Sequence, residues 1–399
     1  MKKIIAVVMS LMLLLSFAAC SKKAITPNES SASSIHSSLP DSSSHDSSLS
    51  LPKDLPLPVK ETLPNGVNTF TLDFTSFLPE MHVREIFAYD NSYYALLMQE
   101  YANNTFGPRM ELYFVDAKTG KVLDDHYSLE HDNLESHYVL IFENSDGYYI
   151  CCDTIAYVIT GSPETKVDIQ KIDYNHSVER DDSIIRSGDG KWYAYTEDDA
   201  VLVNVETGEK IVPYVGRRES EDVVTHTASR PAGFSEDYFF FRTVGYEWAN
   251  GYGTYNLKTG EIKLYDDLVD LHIEPSNANS DRFPYVELWL EFGYIDVSDP
   301  SSTVTLFNKD ETTSGEIYEA LKGCGRFEPV NIGNGKYLCV FAEEENNNNV
   351  FAAIDAKSLK VVYSKRFGSS PSYPIVAGNS AAFLSSSIES CELMIVSLP

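Results

Sequence analysis

Residues 204–209 read Asn204-Val205-Glu206-Thr207-Gly208-Glu209, and the phrase recurs. Asp116-Ala117-Lys118-Thr119-Gly120-Lys121 precedes it, and Asn256-Leu257-Lys258-Thr259-Gly260-Glu261 follows. Asp355-Ala356-Lys357-Ser358-Leu359-Lys360 is a copy without the glycine, and Asp296-Val297-Ser298-Asp299-Pro300 is a looser one. Each stands between two runs of strand-forming residues. An Asp or Asn side chain bonds its own backbone at a turn entry, and Gly supplies a positive φ, so each phrase reads as a hairpin turn.

A second turn phrase lies upstream of most copies. It appears as Asn144-Ser145-Asp146-Gly147-Tyr148, Ser187-Gly188-Asp189-Gly190-Lys191-Trp192, Ser235-Glu236-Asp237-Tyr238 and Asn334-Gly335-Lys336-Tyr337. Asp90-Asn91-Ser92-Tyr93 and Ala377-Gly378-Asn379-Ser380 are weaker copies. Taking Tyr93, Tyr148, Trp192, Tyr238, Tyr337 and Ala382 as equivalent gives steps of 55, 44, 46, 99 and 45 residues. The longest step holds two units, with a degenerate copy near residues 285–290. The period of about 48 residues is that of a four-stranded propeller blade.

The phrases around residues 187–208 resemble the repeats of TolB-type and WD-repeat-like propellers. The Asp-Ala-Lys-Thr-Gly-Lys phrase is similar to repeats of quinoprotein-like propellers. That family ends its repeat on a tryptophan, which is missing after Val122, so no quinone or other cofactor is expected. The resemblance covers residues 67–399 and implies an architecture, not an activity.

The expected fold is therefore all-β, a seven-bladed propeller of four-stranded antiparallel blades. The last unit has a third strand near residues 393–398 and no outer one. Thr69-Phe70-Thr71-Leu72-Asp73-Phe74 alternates polar and apolar with no partner of its own. Pairing the two closes the ring and hides both edges. Short turns then occupy one face. Long connections occupy the other: residues 100–109, 126–138, 216–230, 243–253, 268–282, 309–325 and 343–349. The stretch 314–321 reads as a short helix.

Met1-Lys2-Lys3 opens the chain, an apolar run follows from Ile4, and Phe17-Ala18-Ala19-Cys20 ends it. The run is short for a membrane span and has the layout of a secretory signal. Its end resembles the lipobox of bacterial lipoproteins, with Phe17 in the place of the family's Leu. The resemblance implies a signal peptide over 1–19 and a lipidated Cys20. Residues 20–66 are rich in Ser and then Pro, and read as a flexible tether ending in an extended spacer. The propeller is expected over 67–399, outside the cytoplasm and bound to the cell membrane through the lipid.

Among the 399 residues, 31 Lys and Arg face 59 Asp and Glu, a formal charge of -28. That balance argues against nucleic acid, whose phosphates need a basic footprint. No nucleophile elbow, zinc-protease motif, phosphate loop or dinucleotide fingerprint is present. His126, His131 and His137 stand among Asp124, Asp125, Glu130 and Asp132, but their spacing matches no metal site, and no metal is expected. Cys151 and Cys152 are adjacent on a strand and point to opposite faces. Tyr101, Phe106, Tyr246, Trp248 and Tyr252 fall in the long connections. Aromatics there suit stacking on a sugar or anchoring a protein. The expected function is a binding or scaffold module for an extracytoplasmic protein or glycan. The alternative is a polysaccharide hydrolase or lyase with carboxylates over the central channel.

Overall fold

The computed structural model describes residues 54–78, 80–102, 105–130, 139–144, 147–152, 155–173, 185–187, 189–215, 228–235, 237–244, 251–265, 271–273, 282–287, 291–296, 303–310, 315–330, 332, 335–344, 348–368, 371–387 and 389–399. The fifth Asp-turn at 297–300, the signal segment and Cys20 lie outside them. Among the described residues the strands form seven antiparallel sheets, six of four strands and one of five. This is a seven-bladed β-propeller. Each of blades 1–6 runs in chain order from an inner strand to an outer one.

The middle strands explain the long apolar runs of the sequence. In blade 1, Tyr94, Leu96 and Met98 pack toward blade 7, while Tyr93, Ala95 and Leu97 pack toward blade 2. A strand buried on both faces carries no alternation. The second strand of blade 6, Tyr337–Glu344, and its third, Asn349–Asp355, are each buried over six consecutive residues. Cys152 likewise joins the layer against blade 1, and Cys151 the opposite side of blade 2. The five cysteines from Cys151 to Cys391 are all buried and free, and burial pushes the Cys151 thiol up to about 11. Cys324 opens the strand Cys324–Val330.

The repeated turns have one construction. Gly120, Gly208 and Gly260 have φ of 68°, 70° and 72°. Each donates its N–H to the carbonyl of the Asp or Asn four residues earlier, at 2.8 Å. The Oδ1 of that residue accepts the N–H groups two and three residues on, as Asn204 does from Glu206 and Thr207 at 3.0 Å. In the fourth copy Leu359 takes the glycine's place at φ 54° and bonds Asp355 in the same way. A further bond ties each turn to the other turn of its blade: Ala117 N–H to Ser92 O, Val205 to Lys191, Leu257 to Asp237 and Ala356 to Lys336, at 2.8–2.9 Å. Ser187 and Asp189 serve their own turn in this way, with Ser187 Oγ donating to Asp189 at 2.7 Å and accepting from Trp192 N–H at 3.0 Å.

Ring closure follows the expected pairing. Asn68–Asp73 lies antiparallel to Cys391–Ser397, with Asn68 opposite Ser397 and Asp73 opposite Glu392. Phe70, Leu72 and Phe74 are buried in the layer between blades 7 and 1, with Leu96, Met98, Tyr113 and Val115. A fifth strand, Val59–Thr62, pairs outside this one, and Leu55 and Leu63 pack on the core. It belongs to the stretch that reads as spacer. Its four residues are all exposed, so burial leaves no periodic signal in them.

Three of the expected long connections are different in the structure, the simplest being 126–138, whose first five residues end the outer strand Val122–Glu130 of blade 1. The hairpin near residue 100 continues as strand through Tyr93–Ala102 and Thr105–Asp116, which places Tyr101 opposite Phe106. The stretch 268–282 contains the inner strand of blade 5, Leu271–Ile273. Leu271–Ile273 and Arg282–Glu287 are thus the first and second strands of blade 5 and not the two sides of a blade crossing. With three residues, the first is too brief to show a period. The helix Glu316–Leu321 sits where the sequence puts one, and Leu321 is buried beside Phe327.

Burying Phe70, Leu72 and Phe74 contributes about 1.5–3 kcal/mol for each side chain. A protein beginning at Leu63 is expected to melt near the full-length value. One beginning at Phe77 is expected to melt more than about 10 °C lower and to aggregate through the bared Cys391–Ser397 edge. Calorimetry and gel filtration measure both. Equal melting temperatures would overturn the closure.

Candidate binding face

The two ends of the ring differ because of strand direction. Turns between first and second strands, and between third and outer strands, share one end. Second-to-third connections and blade crossings share the other. Tyr101 and Phe106 close the long second hairpin of blade 1 at that second end. Their rings meet edge-on at 5.0 Å. The His82 ring lies 4.4 Å from Tyr101, and the Arg84 guanidinium lies 4.3 Å from the Phe106 centroid. His82 and Arg84 come from the inner strand Met81–Tyr89.

Two register shifts build this corner. One falls between Val83 and Glu85, the other between Gln99 and Tyr101. A bulge bends its strand and re-aims the neighbouring side chains. Tyr101 N–H donates to Glu80 O at 3.1 Å, and buried Gln99 donates from Nε2 to Gly107 O at 2.8 Å. A side chain at Gly107 would run into the Glu100 carboxylate. Both aromatics remain partly exposed. Burial holds His82 below the usual histidine range, so its ring is neutral near pH 7. The corner offers aromatic surface, a neutral imidazole and a guanidinium.

Of the other aromatics singled out in the sequence, Tyr246 and Trp248 lie outside the described residues. Tyr252 is not in a loop. It belongs to the third strand of blade 4, Gly251–Asn256, is buried, and stacks on Tyr265 at 4.7 Å. The structure therefore brings Tyr101 and Phe106 together and takes Tyr252 into an inter-blade core. His82 and Arg84 escaped the sequence reading, because the bulges that turn them to the hairpin leave no local mark.

Carboxylates near the axis of the ring bear on the enzymatic alternative. Partial desolvation raises Glu85, on the inner strand of blade 1, although its side chain stays exposed, and the Arg84 charge opposes that. Partial desolvation also raises Glu143, an exposed residue on the inner strand of blade 2, against the opposing Arg186 charge and a bond to Tyr148. Tyr148 Oη accepts the Asp90 N–H at 3.1 Å, so Glu143 sits at the short-turn end. Glu85 is five residues before Asp90, roughly 16 Å along the strand. Paired glycosidase carboxylates stand about 5–9.5 Å apart, so these two do not form one.

His131, His137 and Asp132 lie outside the described residues. His126 Nε2 sits 4.0 Å from buried Glu111, which accepts from Arg109 at 2.9 Å and from Ser128 at 2.8 Å. No group of three or more His, Cys, Asp and Glu that could hold a metal occurs among the described residues. No helix there is long and apolar enough to cross a membrane.

Glu85 supplies a pH test. Its raised folded pKa gives a stabilising contribution that is complete below the unfolded value, about 4.3, and is lost as pH rises through the folded value. Glu85→Gln is therefore expected to melt higher than the parent at pH 8, with the gain shrinking toward pH 4. Because the side chain stays exposed, the gain is small, and a variant less stable than the parent at pH 8 contradicts the partial desolvation of this carboxylate.

No family model matches the sequence, and no curated protein matches it. Solved structures do. The dihydro-heme d1 dehydrogenase NirN, in complex with DHE, is 11% identical, with a TM-score of 0.37 over 82% of this chain and 69% of that one. The Dos1 propeller is 9% identical, with a TM-score of 0.37 over 79% and 78%. BamB from Moraxella catarrhalis is 10% identical, with a TM-score of 0.34 over 88% and 100%. The propeller assignment rests on the seven sheets and their pairing.

Proposed function

We propose that this protein is a binding or scaffold module, held outside the cytoplasm by a lipid on Cys20, which presents the loop-rich end of its propeller to a protein or glycan. The supporting observation is the blade 1 corner. Four side chains from two hairpins converge there on partly exposed rings, at the end of the ring where connections are longest. Rigid strands carry these groups, so little order is lost on binding. Aromatic and Arg side chains on such a platform are the usual anchors of an interface. The raised carboxylates are too far apart to act as an acid/base pair.

The domain from Val59 onward, immobilised and screened against glycans and separated envelope proteins, tests the binding role. Tyr101→Ala is expected to weaken retention of the bound ligand by about tenfold or more, the scale of a well-packed anchor, without lowering the melting temperature. Unchanged retention would remove this corner from the interface.

The anchor is tested apart from the ligand. Cys20→Ser is expected to shift the protein from the membrane fraction to the soluble one. Persistence in washed membranes would point to an uncleaved helix.

A further inference from the structure

Blade 4 carries a row of side chains in which two arginines continue a pair of packed tyrosines. In its register Arg230 stands opposite Arg242, Arg242 opposite Tyr252, and Tyr252 opposite Tyr265. Directly opposed residues of neighbouring strands share one face of a sheet. The row therefore reads Arg, Arg, Tyr, Tyr from the inner strand to the outer. Both arginines lie within three residues of the loop-rich end of their strands, Ala228–Phe234 and Tyr238–Val244.

Like charges placed directly opposite are destabilising. Here the chain has 59 acidic residues with which to neutralise them. Elsewhere it does so. Arg109 bonds Glu111, Arg282 pairs with Asp296, Arg326 with Glu328, and Arg366 with Glu344. Arg230 instead donates to two carbonyls, Asp198 O and Ser229 O, each at 3.0 Å. A carbonyl fixes the guanidinium without cancelling its charge. Arg242 Nε is buried and has no hydrogen-bond partner among the described residues. A half-buried guanidinium with an unmet donor, beside a second one held in place by neutral groups, has the form of a receptor for an anion.

We propose that Arg230 and Arg242 form an oxyanion subsite at the loop-rich end of blade 4, which takes a phosphate or carboxylate group of the ligand. This deepens the binding reading and rests on it, since it makes that ligand acidic. Planar guanidinium forks match both groups. The stacked Tyr252 and Tyr265 continue the row beyond Arg242 on the same face of the sheet. The overall charge of -28 repels anions at long range, so recognition depends on these short contacts and not on steering.

Inorganic phosphate and acetate, titrated into the protein at constant ionic strength, are the probes, with the melting temperature and calorimetric heat as readouts. A saturable rise in melting temperature is expected with at least one anion. Preference for phosphate points to a phosphoryl group, and preference for acetate to a carboxylate. Arg242→Gln is expected to weaken the response by about tenfold, the scale of a lost charged contact, while melting no lower than the parent in anion-free buffer because a repulsion is relieved. Arg230→Gln is expected to weaken it as well. Absence of a saturable response, or an equal response in Arg242→Gln, would overturn the subsite. Tyr101→Ala is expected to leave the anion response unchanged. Failure of the blade 1 corner and failure of this subsite are thus read separately.

Discussion

The pairing of Asn68–Asp73 with Cys391–Ser397 is the contact on which the rest of the molecule depends. Six blades of a propeller stack by local chain order, each packing on the one before. The seventh interface has no such help, because its two sides are far apart in sequence. A strand from one end of the domain must cover the edge at the other. Its cost is a loop closed over more than three hundred residues, which grows only logarithmically with length. Its return is the burial of Phe70, Leu72 and Phe74 and the removal of two open edges. Gly120 shows how close the joint is. A Cβ there would lie 2.6 Å from the Phe70 Cβ, so the first blade's outer turn is shaped to the closing strand as well as to its own φ.

With the ring closed, each sheet has a neighbour on both faces, and the inner layers become cores. Seven hydrophobic clusters follow the inter-blade spaces. The outer strands sit at the periphery and are half exposed, as in Val361–Phe367. In blades 1, 3, 4 and 6 the turns at the short end are locked to one another by backbone bonds, so that end is fixed by local chemistry. The other end is free to vary because nothing in the repeat specifies it. Bulges and a long hairpin lie there, which is the division of labour expected of loops on a rigid scaffold.

What could be read from the sequence follows the same division. The turn phrases announce themselves because an Asx residue and a positive-φ position need particular residue types. Their recurrence gives the blade count even though Leu359 replaces the glycine in one copy. The closing strand is legible because it is an outer strand, half buried, and so alternates. Leu271–Ile273 and Val59–Thr62 are not legible, the first for brevity and the second because it buries nothing. The blade 1 corner is half legible. Tyr101 and Phe106 stand out as aromatics, but their assignment to a loop fails because the strands run nearly to the hairpin tip. His82 and Arg84 reach them through two bulges, and a bulge has no residue signature here. Arg230 and Arg242 become neighbours only when a register is known.

The two features at the loop-rich end are chemically complementary. The blade 1 corner offers aromatic edges and a neutral imidazole, which suit an apolar or sugar-like surface. Blade 4 offers two guanidinium groups, which suit an acidic one. Both sit on strands braced from behind by inter-blade cores. A ligand that met both would be extended and acidic, with apolar faces, a description met by an acidic polysaccharide and by an acidic, aromatic-bearing peptide. In a protein of such negative charge, attraction to such a ligand cannot come from the general field. It must come from local contacts, here the Arg242 Nε that has no hydrogen-bond partner among the described residues and the Arg230 guanidinium that two carbonyls hold.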